Sequence, residues 1–113
     1  MGSKRVIDTY QAITDGDMSS NITGPSTNIL YTDRVSYQLI YTGSPTGTFS
    51  VQVSNDETTW EDVAFDTTPT ASGAGDTDFL EIETGAKFIR LNYTASSGTG
   101  TLQAKMTAKS ISG

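Results

Sequence analysis

From Arg34 to Val53 the chain reads RVSYQLIYTGSPTGTFSVQV, and this stretch restricts the fold more than any other. Val35, Tyr37, Leu39 and Tyr41 fall on one face, with Ser36, Gln38, Ile40 and Thr42 on the other. Side chains alternate across a strand, so a period of two is the mark of a half-buried β-strand. Phe49, Val51 and Val53 then alternate with Thr48, Ser50, Gln52 and Ser54, where every outward position is polar. Gly43-Ser44-Pro45-Thr46-Gly47 lies between them, with glycines open to positive φ and a proline that fixes its own. The expected structure is an antiparallel hairpin.

The pattern returns between Phe88 and Ala108. Ile89, Leu91 and Tyr93 oppose Phe88, Arg90 and Asn92; a turn is expected at Ser96–Thr101; Leu102, Ala104, Met106 and Ala108 then oppose Gln103, Lys105, Thr107 and Lys109. Two similar hairpins suggest two facing sheets. The other segments are shorter. Arg5 to Ile13 is expected as an edge strand or an extended arm able to pack on a neighbouring subunit. Thr14-Asp15-Gly16-Asp17 reads as a turn, and Met18 to Ile22 as a short strand stopped by Gly24-Pro25. Asn55 and Asp56 suit a tight turn, a short segment runs from Trp60 through Phe65, and Asp66 to Asp78 reads as an exposed loop without bulky anchors. Phe79 to Ile82 is a further strand. About eight short strands with turns between them predict an all-β antiparallel sandwich, jelly-roll-like, with residues 1–13 as strand or arm and residues 14–113 as the sandwich. Its core is expected to draw on Val35, Tyr37, Leu39, Phe49, Val51, Val53, Ile89, Leu91, Leu102 and Met106.

Charge and missing residue types narrow the chemistry. Thirteen Asp and Glu against seven Lys and Arg give a formal charge of −6, which disfavours nucleic acid as the principal ligand because phosphate contact needs cations. Every charged residue from Asp56 to Glu83 is acidic, so one region of the surface is expected to be strongly negative. With no histidine and no cysteine, the usual zinc sites, Ser-His-Asp and Cys-His catalysis and disulfides have no residues to form them. No apolar run is long enough to predict membrane insertion. The acidic pairs Asp15 with Asp17 and Glu81 with Glu83 have the residue type that glycoside hydrolysis uses, but no nucleophile or oxyanion site accompanies them. Asp15 and Asp17 also lack the spaced ligands of a calcium loop. The expectation is therefore no enzyme, no cofactor and no metal.

Three residues are singled out for contact with a partner or ligand. Trp60, the one tryptophan, is expected to anchor a core or subunit interface, or to offer its indole face to a sugar. Arg90 points away from the core, where it is expected to meet the acidic region. Tyr10 lies on the N-terminal segment.

Two resemblances follow from these residues. Phe49-Ser50-Val51-Gln52-Val53-Ser54-Asn55-Asp56 with Thr59-Trp60, and later Ala86-Lys87-Phe88-Ile89-Arg90-Leu91, is similar to patterns in discoidin-like and other carbohydrate-binding sandwiches, which implies glycan recognition. Ser19-Ser20-Asn21, Thr27-Asn28-Ile29, Tyr41 through Phe49, Ser54-Asn55-Asp56, Trp60, Phe88 through Thr94 and Ser97 through Leu102 together resemble small β-rich structural proteins of tailed bacteriophages. That likeness implies a virion location and a role in capsid decoration or as a head or tail accessory. The partners it implies are further copies of the chain and phage capsid or tail proteins.

Overall fold

The computed structural model describes residues 7–29, 34–73 and 75–109. They form ten strands: β1 (Ile7–Asp17), β2 (Ile22–Thr23), β3 (Thr27–Asn28), β4 (Arg34–Gly43), β5 (Thr46–Ser54), β6 (Glu61–Asp62), β7 (Thr70–Ser72), β8 (Asp76–Glu83), β9 (Phe88–Ser97) and β10 (Gly100–Lys109). One sheet has the order β1-β10-β4-β8. In the other, β2 and β3 lie along β9, which pairs with β5, and β6 and β7 lie along β5. The ten segments therefore occupy eight strand positions, all antiparallel. The chain pairs from its ends inward, β1 with β10, β2 and β3 with β9, β4 with β8, and β5 with β6 and β7. One long ribbon wrapped into two sheets in this order is a jelly roll.

Within this topology the two expected hairpins are absent. β4 and β5 belong to different sheets, and so do β9 and β10. Each Gly-rich turn is an arch carrying the chain across the core. The physical reason is burial: each arm has one apolar face, and crossing over makes those faces meet. Tyr41 on β4 and Phe49 on β5 then stand with ring centroids 5.8 Å apart, and Phe49 lies 5.0 Å from Tyr93 on β9. The two arches also touch one another. Ser44 N–H donates to the Thr99 carbonyl at 2.8 Å, and Gly43 and Gly98 both take positive φ, 89° and 82°. A Cβ on Gly98 would overlap the Ser44 carbonyl oxygen. Pro45 is fully buried at the crossing.

The expected core residues are buried except Val53, which is half-buried. There the alternation of β5 shifts, and Ser54 turns inward instead. Its hydroxyl accepts from the N–H of Asp56 (3.1 Å) and Glu57 (2.9 Å) and donates to Asp56 Oδ1 (2.9 Å). Asp56 Oδ1 in turn accepts from the N–H of Thr58 and Thr59 at 2.9 and 2.8 Å. This closed loop forms the tip of the ribbon, between the one pair of consecutive described strands that hydrogen-bond to each other, β5 and β6. The bonds from Thr59, Thr58 and Ser54 hold the Asp56 carboxyl down to about 2 from an ordinary 3.8. A depressed carboxyl stabilises the fold above its unfolded pKa, and that contribution disappears as pH falls through the folded one. Acid unfolding followed by circular dichroism is expected to show Asp56→Asn losing less stability than the wild type between about pH 4 and pH 2.

Three local expectations change. Thr14–Asp17 is not a turn but the end of β1, where register shifts between Gln11 and Ile13 and between Ile13 and Gly16 bend the strand, with Asp15 at φ 52°. Met18 to Ile22 is not a strand. Met18 is fully buried with its N–H on the Gly100 carbonyl (2.9 Å), Asp17 Oδ1 caps the N–H and hydroxyl of Ser19, and β2 starts only at Ile22. The stretch from Asp66 to Asp78 is exposed over most of its length, as expected, but is not all loop. It contains β7 and the start of β8; Ala71 is buried, and the Pro69 carbonyl accepts from Phe49 N–H at 2.9 Å.

Candidate functional site

The outer face of the six-stranded sheet is built from alternate residues of β5 and β9, whose register sets Ser50 opposite Asn92 and Gln52 opposite Arg90. The alternation that buries Phe49, Val51, Leu91 and Tyr93 requires these four to face outward. Gln52 is the hub. Its Oε1 accepts from Arg90 Nε (2.8 Å) and Asn92 Nδ2 (2.7 Å), and its Nε2 donates to Asp62 Oδ1 on β6 (2.9 Å). Just before β6, the half-buried Trp60 brings its ring beneath Arg90, with the guanidinium carbon 4.1 Å from the ring centroid.

Two of the expected contact residues thus meet. Arg90 faces outward as expected, but it lies against Trp60 instead of pairing with a carboxylate, and it reaches Asp62 only through Gln52. The stack also covers one face of the indole, so Trp60 does not present that face to a sugar. Tyr10 lies elsewhere, on edge strand β1 of the other sheet, opposite Met106 and 38% exposed. Because the chain has one tryptophan, its fluorescence reports on this cluster alone. Arg90→Ala is expected to red-shift the emission as water reaches the uncovered ring, and to cost about 1 kcal/mol for the lost cation–π contact and the Gln52 hydrogen bond.

Three of the four carboxylates in the expected pairs are held by neighbours. Asp15 Oδ1 accepts from Gln103 Nε2, Asp17 is held below the usual carboxylate range by the Ser19 hydroxyl and then by its N–H, and Glu83 pairs with Arg34 at 2.7 Å. Among the described residues, no group of three or more His, Cys, Asp or Glu side chains is placed to hold a metal ion, and no helix is long and apolar enough to cross a membrane.

Sequence reading passed over Phe79. On β8 it is 57% exposed, the most exposed large apolar side chain among the described residues. The signal was parity: Leu80 and Ile82 face inward opposite Tyr37 and Val35, so Phe79 must face out.

No family model matches the chain, and comparison with curated proteins finds no match. Solved structures do share the fold. The chain is similar to a structure of infectious bursal disease virus, Gx strain, with TM-score 0.66 and 17% identity over 98% of this chain, and it spans 33% of that protein's length. It is similar to the PBSX exported protein XepA, with TM-score 0.65 and 10% identity over 91% of this chain and 36% of that one. The SPBc2 prophage-derived protein YomS matches almost end to end, over 97% of this chain and 98% of that one, with TM-score 0.61 and 12% identity. The fold of this chain is a jelly-roll-like sandwich also found in viral and prophage proteins.

Proposed function

We propose that this chain is a virion structural protein of a tailed phage, a capsid decoration or head or tail accessory protein that attaches by many protein contacts. The observation that carries the reading is the two-way coverage of the likeness to YomS, a prophage-derived protein. The site chemistry agrees with it. Gln52 holds Arg90, Asn92 and Asp62 by hydrogen bonds and Arg90 covers Trp60 across the outer face of a sheet, as suits a rigid surface that docks and does not turn over substrate. Further copies of the chain and the capsid or tail proteins are the partners, and many moderate contacts reinforce one another when copies attach to a repeating shell. The test is mass spectrometry of particles purified by density gradient from the strain that encodes the chain. The chain is expected in the particle fraction at a fixed ratio to the major shell protein; its confinement to the soluble fraction would remove the reading.

A further inference from the structure

The four edges of the sandwich are not alike. β1 is bent by two register shifts, which interrupt the ladder that an incoming strand would need. The edges of the other sheet are pieces of two or three residues. β8 differs from all of these: eight residues, no register shift against β4, and no second strand partner among the described residues.

The backbone of β8 shows which groups face outward. Thr77 and Phe79 donate their N–H groups to the carboxylates of the preceding Asp76 and Asp78, each at 2.8 Å, so these N–H groups point away from β4. Backbone direction alternates along an antiparallel strand, which sends the N–H and C=O of Glu81 and Glu83 the same way. On the outer surface this edge carries the exposed Phe79. On its inner side it opens into a groove of about 360 Å³ whose lining includes Phe65, Pro69, Asp78 and Leu80.

Charge decides what fits. β8 carries Asp76, Asp78, Glu81 and Glu83, of which Glu83 forms an ion pair with Arg34. A second β8 laid alongside would crowd the carboxylates of both copies along one ladder with no cation of β8 between them, which like-charge repulsion disfavours. The edge therefore repels its own copy and favours a cationic strand.

We propose that β8 is a strand-addition site for an extended cationic segment of a partner protein. The incoming backbone continues the ladder at Thr77 to Glu83, displacing the two aspartate caps. Its Lys or Arg side chains lie opposite Glu81 and Glu83 on the outer face, and an apolar side chain on the inner face enters the groove between Phe65 and Leu80. That the shell supplies this segment rests on the virion reading; the edge itself does not.

The probe is a synthetic peptide of alternating lysine and valine, matched to the length of β8, with a second version N-methylated at alternate amides to block the ladder. Titration by isotope-edited NMR in moderate salt is expected to show saturable binding of the first peptide, with slowed hydrogen exchange at Phe79, Glu81 and Glu83, and at least about tenfold weaker binding of the second. Glu81→Pro removes one outward N–H without touching the β4 ladder, as edge strands tolerate, and is expected to weaken binding by a similar factor. Equal binding of the N-methylated peptide, full binding by a folded Glu81→Pro chain, or no binding of the first peptide overturns the proposal and leaves the virion reading standing. Absence of the chain from particles removes that reading and leaves the peptide result untouched.

Discussion

Phe49→Ala is expected to cost about 3–5 kcal/mol, the range for deleting a buried aromatic side chain. Phe49 is 1% exposed and is the middle ring of three, between Tyr41 from the opposite sheet and Tyr93 from its own. Its removal empties the place where the two sheets are held together, and the neighbours cannot collapse inward without dragging whole strands. Domains of this size have about 5–15 kcal/mol in total, so the variant should unfold at a much lower urea midpoint, or fail to accumulate. Tyr93→Phe provides the contrast. Its hydroxyl is buried with no hydrogen-bond partner among the described residues, and burial raises its pKa, so losing the oxygen is expected to leave stability unchanged or raise it slightly. A large loss in Tyr93→Phe would mean that the hydroxyl has a partner, such as a bound water, and that the aromatic column is held by polar contact as well as packing.

Gly98→Ala is expected to destabilise by about 2–5 kcal/mol, combining roughly 1–2 for an alanine at positive φ with about 1–3 for overpacking. The atom in the way is a backbone oxygen, that of Ser44, which cannot rotate aside like a side chain. The loss should appear as a fall in urea midpoint with an unchanged m-value, because the same surface is exposed on unfolding. Gly85→Ala is the control, since nothing lies within 4 Å of the Cβ it would add. If Gly98→Ala and Gly85→Ala unfold together, the two arches do not touch in solution as described above.

How much of this was legible in the sequence depended on the range of the signal. Alternation along β4, β5, β9 and β10 identified the strands and the face each buries, because that pattern is carried by neighbouring residues. It could not show which strand lies beside which. A Gly/Pro-rich turn between two alternating runs looks the same whether the runs pair with each other or arch apart, and Tyr41 and Phe49 had to be seen in contact to decide it. The same limit explains Asp15 and Asp17, which resemble a turn but bend a strand whose partner, β10, lies at the far end of the chain. At the site, outward parity placed Arg90 correctly. Its stacking on Trp60 was hidden because the two residues sit on different elements joined only through the β5–β9 register.

The inward-from-the-ends pairing also fixes how such a chain can reach its structure. Tyr37 opposes Met106, and Asp17 opposes Thr101, so the central ladders close loops spanning much of the chain. Neither arch offers a local pairing that could form early, and the one tight closure is the Ser54–Thr59 tip with its Asp56 cap. Folding should start there and zip outward, pairing the termini last. Chains dominated by such distant contacts fold in milliseconds to seconds, slowly enough for unfinished edges to meet those of other molecules. The carboxylates along β8 would then protect the nascent chain before they ever face a partner.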